Sequence, residues 1–516
     1  MFAEVMTAVL HGMEAIPVTV ETTIDKGLPM FQIVGLADKS VNEAKERIRS
    51  ALHFSGLEFP MGRITVNMAP AGIWKRGSHF DAAIALSILA SSGQIEPNKL
   101  FGCCIIGELS LDGRVKQVGG ALAIAASMEK YGIKKLFLPE DNLAQASLLN
   151  QITLFPASSL SQLVLHFSGM QKILPQKKAY VPVRKEIVCE KKDFRDVRGQ
   201  ETAKRAILVA AAGGHGIFMI GNPSAGKTML AERIPSILPP MTEKEILRAS
   251  IIWSAAGKLG LNQVISERPV RAPGTNSTAA ALLGGGLHPM PGEISLADSG
   301  VLFLDEVCEF SGRVLDSLRT PLERKEIEFV RYGETYRFPA RFFSVFASNP
   351  CKCGYYGDPN HVCTCTDGEL AHYRAKISGA ILDRMDITIS LPPVSYDKWH
   401  EKPGLGSDEM KKLLLAARAM QEKRFHMKEY LNGDMSDEEL DRYVPIEGET
   451  DGFLRNAYQI MGLDPRGIQK VRKIARTIAD LEGSDDVKIG HFAEAVRYRE
   501  DIFERSKRKE AGRFEI

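Results

Sequence analysis

A chain of 516 residues is too long for one hydrophobic core, so two or three units are expected. With 44% hydrophobic and 25% charged residues the composition is that of a soluble globular protein, and no apolar run approaches the length needed to cross a bilayer. A net charge of +2 argues neither for nor against nucleic acid, so any such contact must come from local patches.

In chain order, the N-terminus (Met1-Phe-Ala-Glu-Val-Met-Thr) lacks the basic stretch and apolar core of a signal peptide, and a cytoplasmic location is expected. Residues 1–167 read as a first, α+β unit. Strand-like runs at 17–20, 30–34, 64–68, 103–107 and 135–138 are interleaved with helix-like runs at 40–54, 80–91 and 120–130. Residues 168–192 read as a linker, because 170–190 are polar, basic and proline-containing. Residues 193–395 read as an α/β nucleotide-binding core: helix, strand, glycine loop, helix. Residues 396–516 are helical and charged, with the clearest helices at 409–422, 437–443, 466–481 and 491–505.

Gly221, Asn222, Pro223, Ser224, Ala225, Gly226, Lys227 and Thr228 fit the phosphate-loop pattern G-x-x-x-x-G-K-[ST] at every fixed position. An apolar strand (217–220) precedes the loop and a helix-forming run (229–234) follows it. The glycines let backbone N–H groups wrap phosphates, and the helix N-terminus favours their charge. Lys227 is expected on the β- and γ-phosphates of ATP, and Thr228 on Mg²⁺. A second apolar strand (300–304) ends in Asp305, a candidate for holding Mg²⁺ through water, and Glu306, a candidate for activating the attacking water. A third (342–347) leads to Asn349, which would orient that water. The transition state needs positive charge on the γ-phosphate, and Arg384 and Arg466 are the candidates. A surface salt bridge is the alternative reading for either.

These residues, with Ile294-Ser-Leu-Ala-Asp-Ser-Gly, Phe338-Pro-Ala-Arg-Phe, Asn349-Pro-Cys-Lys-Cys-Gly-Tyr and, in the first unit, Gly107-Glu-Leu-Ser-Leu-Asp-Gly, give the chain a resemblance to the ComM/YifB family of magnesium-chelatase-like AAA+ ATPases. The resemblance spans nearly the whole chain. It implies an AAA+ core, a parallel sheet flanked by helices, with a helical lid. It also implies an insert near 268–294, a β-hairpin near 326–338, and a preceding Lon-protease-like domain of S5 fold. It further implies hexameric rings, with Arg384 reaching the neighbour's site and Arg466 acting as the second-sensor arginine. The ComM role is DNA branch migration during transformation. Two motifs depart from the family. Arg271-Ala-Pro-Gly-Thr-Asn-Ser277 lacks the usual His-His pair, and Leu463-Asp-Pro-Arg-Gly-Ile lacks the small residue and Ala that usually flank the arginine.

A Lon-like unit would use a Ser-Lys dyad. Here His79 takes the nucleophile slot, with Ser78 beside it, and no lysine follows Gly119-Gly120, so a non-proteolytic domain is expected. Cys351, Cys353, Cys363 and Cys365 supply four thiolates that suit a tetrahedral, structural Zn²⁺, with His361 as a spare ligand and a loop of free thiols as the alternative. Lys325, Arg331, Tyr332 and Arg337 on the hairpin suit single-stranded or branched DNA, with a solvated edge hairpin as the alternative. Three clients remain open at this level: DNA moved by a ring helicase, a protein complex remodelled as magnesium chelatase does, and, least favoured, a protein substrate of a Lon-like protease. No membrane partner is expected.

Overall fold

Phe2–His11 alternates exposed and buried positions along its first half, and Gly12 at φ +66° turns the chain back on itself. Phe2–His11 therefore pairs antiparallel with Glu14–Asp25, from Phe2↔Thr23 to His11↔Glu14. This hairpin is the middle of a seven-stranded mixed sheet in the order Met30–Val34, Arg63–Ala69, Glu14–Asp25, Phe2–His11, Cys103–Ile105, Lys135–Pro139, Thr153–Ala157. Helices Lys39–Phe54, Asp81–Ser91 and Leu160–Ser168 share a core with one face, and Ala121–Lys130 with the other. The computed structural model describes residues 2–176, 192–260, 263–287, 289–331, 333–394, 396–400 and 403–499. The expected linker from 177 to 191, Tyr332 and the end of the last expected helix lie outside these residues. Within the expected linker, Ile173 is buried in the first core and Gln176 N donates to the Leu154 carbonyl at 2.8 Å, so the chain stays on the first sheet to residue 176.

The expected strands and helices of the first unit all form, but Phe2–His11, Thr153–Ala157 and Leu160–Ser168 were not read from the sequence. The architecture is compatible with the Lon-like fold.

A second, five-stranded sheet is parallel throughout, in the order Val270–Arg271, Val301–Leu304, Phe343–Ser348, Ile217–Gly221, Ile387–Leu391. Its strands are almost wholly buried, as a parallel sheet covered on both faces requires. With Glu201–Gly213 and Lys227–Ile237 packed on it, this is the expected mixed α/β core of AAA+ type. Val270–Arg271 is an edge strand of this sheet, so the insert begins only after Arg271 and holds the small hairpin Gly284–Gly285/Met290–Pro291. The expected hairpin is Glu326–Arg331 paired with Glu334–Pro339. Leu247 and Ile251, on the helix Glu243–Ala255, pack into the core under Ala121–Lys130 and join the two sheets' units.

Helices Ser407–Phe425, Asp437–Tyr443, Glu449–Met461, Pro465–Leu481 and Ile489–Arg497 follow. Asp464 caps the fourth of them by accepting from Gly467 N at 2.7 Å. Its buried face (Val471, Ile474, Ala475, Ile478) shares a core with Glu201–Gly213 and Ser407–Phe425. A polar clamp fixes it to the sheet: His215 Nε2 meets Thr477 Oγ1 at 2.8 Å, His215 Nδ1 meets Asp386 Oδ2 at 3.3 Å, and Lys470 Nζ lies 3.3 Å from Asp386 Oδ1. Burial opposes ionisation of Asp386, but His215 and Lys470 outweigh it and hold the carboxyl well below the usual range. Among the described residues no helix is long and apolar enough to cross a membrane.

Because the folded-state carboxyl is the stronger acid, its contribution is full above about pH 4 and is lost as the pH falls. Asp386→Ala should cost roughly 3 kcal/mol of lid docking at neutral pH. Hydrogen exchange would read this as lost protection across Pro465–Leu481, with the difference from wild type shrinking in acid.

Candidate active site

Phe218, Phe346 and Leu304 lie at one level of the parallel sheet, since Phe218 pairs with Phe346 and Leu304 pairs with Phe346. Asp305, Asn349 and the loop after Gly221 therefore leave the sheet at one edge. A Cβ on Gly221 would lie 2.9 Å from both Cβ and O of Leu391, so glycine is what lets the loop start there. Ser224 and Gly226 take left-handed φ values of +66° and +91°, and the helix Lys227–Ile237 begins immediately. Its first N–H groups have no intrahelical partner and suit an anion.

Lys227 Nζ donates to the carbonyls of Gly221 at 2.6 Å and Asn222 at 3.0 Å and to Asn349 Oδ1 at 2.9 Å. Burial pulls this ammonium below the usual lysine range, against the opposing pull of Asp305 and Glu306. Thr228 Oγ1 donates to Asp305 Oδ2 at 2.8 Å. These hard oxygens fit magnesium, which takes one or two protein oxygens and completes its shell with water and phosphate. Glu306 is exposed at φ +49°, with its N–H donating to Asp305 Oδ1 at 2.9 Å. The phosphate-loop residues, Asp305, Glu306 and Asn349 are thus gathered at one edge of one sheet.

Two contributors were not read from the sequence. Buried Gln200 donates from Nε2 to the carbonyls of Ala225 at 3.2 Å and Pro392 at 2.8 Å, which ties the phosphate loop to the end of Ile387–Leu391. Its only sequence signal is a polar residue after Gly199 at a helix start. Asp358 accepts from Asn222 Nδ2, a contact across 136 positions that no local pattern announces.

Arg384 stands apart from this group. It donates to the Arg319 carbonyl at 3.1 Å, the Ala380 carbonyl at 2.6 Å and Glu323 Oε2 at 2.6 Å, none of which belongs to the nucleotide loop. Arg466 is exposed in the first turn of Pro465–Leu481. The four cysteine sulfurs of 351, 353, 363 and 365 all lie within 4.8 Å of one another, a donor set and spacing that fit one tetrahedral zinc. His361 instead lies 3.4 Å from Asp358 Oδ1 through Nδ1. In the first unit, Ser78 Oγ donates to Glu108, and His79 is buried with Nε2 2.9 Å from the Ala8 carbonyl, so Nε2 carries the proton. Burial pushes His79 down to about 4, against that bond and Asp38. The His79 imidazole is thus neutral and committed to a backbone carbonyl, and the partner of the Ser78 hydroxyl is a carboxylate, not the lysine of a Ser-Lys dyad.

On the hairpin, Arg337 pairs with Glu328 at 2.9 Å, Lys325 pairs with Asp434 of the helical region, and Arg331 is exposed near the tip.

The family model described as magnesium chelatase, subunit ChlI, matches residues 193–399. Those described as subunit ChlI of Mg-chelatase and as the ChlI C-terminal region match 20–142 and 404–499. The chain is 39% identical over 498 residues to YifB of Escherichia coli K12, with 96% of each chain covered. It is 37% identical over 503 residues to YifB of Salmonella typhimurium, covering 96% of this chain and 97% of that one. Competence protein ComM of Haemophilus influenzae is 36% identical over 501 residues, with 95% of each chain covered.

His79, neutral when folded, opposes folding once an unfolded histidine would protonate, so the first unit should lose stability as the pH falls from about 6.5 to about 4. The loss is of order 3 kcal/mol. His79→Gln, which keeps a donor for Ala8, should remove most of this acid dependence. Exchange protection of Asp81–Ser91, corrected for intrinsic rates, measures it.

Proposed function

Because the chain belongs to the magnesium-chelatase-like AAA+ ATPases, the family of ComM and YifB, we propose that it is an ATP-hydrolysing ring motor that acts on DNA as a helicase promoting branch migration during DNA uptake and recombination. The observation that carries the ATPase reading is the convergence of Lys227, the Thr228–Asp305 pair, Glu306 and Asn349 at one sheet edge. In this reading Gly221 to Thr228 wrap the phosphates and Lys227 exchanges its carbonyl partners for the β- and γ-phosphates. Thr228 and Asp305 would hold magnesium, which when bound would supply positive charge near the transferred phosphoryl group. Glu306, whose side chain is exposed, takes the proton of the attacking water, and Asn349 orients that water.

The rest of the reading concerns assembly. Residues 1–167, with the packed extension to 176, form a non-proteolytic Lon-like domain, 193–395 the ATPase core, and 396–516 the lid and C-terminal domain. Arg384, turned to Glu323 instead of its own loop, completes the neighbour's site in a homo-hexamer, and Arg466 approaches from the lid. The four cysteines hold a structural zinc. The protein works in the cytoplasm. The name of the Haemophilus relative, a competence protein, supports DNA as the client.

One observation favours the second reading, remodelling of a protein complex. Lys325, Arg331 and Arg337 of the hairpin are matched by Glu326, Glu328 and Glu334, so the hairpin carries no excess positive charge in its described residues. Phosphate tracking needs such an excess.

Lys227→Ala should lose nucleotide binding. Glu306→Gln should bind ATP yet turn over about 10²-fold more slowly or worse, as loss of a general base does. For the client, wild-type ATPase rate is measured with and without single-stranded and branched DNA. Stimulation that fades with salt supports the helicase reading, and unchanged rates with no salt-sensitive binding would sink it.

A further inference from the structure

The phosphate loop does not stand on its own strand and helix alone. The cysteine loop lies directly against it at two points. Gly354, at φ +87°, is packed so closely that a Cβ there would lie 2.7 Å from Pro223 Cγ and 2.8 Å from Pro223 Cδ. Asp358 accepts from Asn222 Nδ2 through one carboxylate oxygen. Its other oxygen accepts from Asn360 N at 2.7 Å and His361 N at 3.0 Å, which fixes the carboxylate to the fold of the loop. Asn222 is also the residue whose carbonyl receives Lys227 Nζ, at 3.0 Å. The same loop starts two residues after Asn349, the side chain that holds Lys227 Nζ at 2.9 Å.

The two ends of this loop are tied by the cysteines. Cys351 Sγ lies 3.3 Å from Cys353 Sγ and 3.8 Å from Cys363 Sγ, and Cys353 Sγ lies 3.4 Å from Cys363 Sγ. Sulfurs at the corners of a tetrahedral zinc site are about 3.8 Å apart. Backbone N–H groups already point at the sulfurs, Tyr356 N to Cys351 at 3.3 Å and Cys353 N to Cys365 at 3.4 Å, as donors that steady metal-bound thiolates do. Arg374, on the helix Asp367–Ala375, lies 4.7 Å from the centroid of the Tyr356 ring and seats the loop from outside. Without a cation, four thiols at these distances have no strong mutual attraction, and the span from Cys353 to Cys363 has no regular hydrogen-bonded structure of its own.

We propose that zinc bound by Cys351, Cys353, Cys363 and Cys365 makes this loop a strut that positions the phosphate loop through Asp358–Asn222 and Gly354–Pro223, so that zinc occupancy sets nucleotide affinity. The inference rests on the zinc reading given above and extends the metal from a local staple to a control point. Asp358 is a positioning residue: it touches neither nucleotide nor metal, and it passes the loop's conformation to Asn222 and so to Lys227.

The test uses the full-length protein. Zinc per chain is counted with a chromogenic chelator after thiol release, and affinity is measured with a fluorescent ATP analogue. Wild type should hold about one zinc per chain. Stripping it with a mercurial and a chelator, then removing both, should weaken nucleotide binding about tenfold, and added Zn²⁺ should restore it. Asp358→Ala should keep its zinc and its melting midpoint, show the same tenfold weakening, and lose no further affinity on stripping. Cys353→Ser combined with Cys363→Ser should lose both zinc and affinity. A zinc-free wild type that binds no added Zn²⁺ overturns the proposal. So does stripped protein, or a zinc-replete Asp358→Ala, that binds nucleotide as wild type does. The motor reading fails separately, if wild type holds nucleotide but does not hydrolyse it, since affinity and zinc content still report on the strut.

Discussion

A parallel strand delivers its last residue to the sheet edge at a height fixed by register, and the whole nucleotide site depends on three such deliveries. Ile217–Gly221 runs between Phe343–Ser348 and Ile387–Leu391, with Ile220 opposite both Ser348 and Ser390. Ile217, Met219, Val345 and Ile387 fill the core on one face and Phe218, Ile220 and Phe346 that on the other, so slipping a strand by one residue would exchange two differently shaped sets of core side chains. The apolar core therefore enforces the register, and the register brings Asn349 to Lys227 and Asp305 to Thr228. Gly221 is the point where this constraint is tightest, because the Leu391 backbone fills the space a side chain would need.

The legible part of this arrangement was the part with local signals. The phosphate loop, the strands at 217–220 and 300–304 and the C-x-C pairs each carry their meaning within a dozen residues. Phe2–His11 is apolar at seven of its ten positions, but these do not alternate strictly, and the segment sits where a targeting segment is first sought. Glu449–Met461 was missed for a different reason: Gly452 and a polar first turn weaken the helical pattern, and packing of Leu454 and Ala457, with Phe453 and Met461 beside them, holds it. What no sequence reading reaches are contacts between distant positions. His215–Asp386–Thr477, Gln200–Ala225 and Asp358–Asn222 are each made of ordinary polar residues whose partners the fold alone selects.

These distant contacts are where the separate parts become one device. Pro465–Leu481 carries Arg466 in its first turn, Lys470 one turn later and Thr477 further along. Lys470 reaches Asp386 and also donates to the Asp383 carbonyl, so it grips both sides of Arg384. A helix is stiff over 17 residues, so a displacement that carries Arg466 is felt at the segment bearing Arg384. In a ring that segment would face the next subunit's nucleotide. The helix thus ties the first turn of the helical region to the Asp383–Asp386 segment of the core through one rigid body and one partly buried ion pair.

How firmly Arg384 is held within its own chain depends on what it touches. Its partners are two backbone carbonyls and Glu323, and Glu323 is 66% exposed. Ion pairs with so exposed a partner are worth on the order of 0 to 1 kcal/mol. A triphosphate carries far more charge than one solvated carboxylate, and phosphate accepts a guanidinium bidentately. Glu323 is therefore a weak partner, one that an anion of higher charge could displace from the guanidinium. Inside the site, the carbonyl and amide partners of Lys227 hold the ammonium in place without neutralising it. Lys227 is thus kept oriented by neutral partners, whereas Arg384 shares its charge with one solvated carboxylate, so the two cations differ in how far their charge remains available to a bound anion.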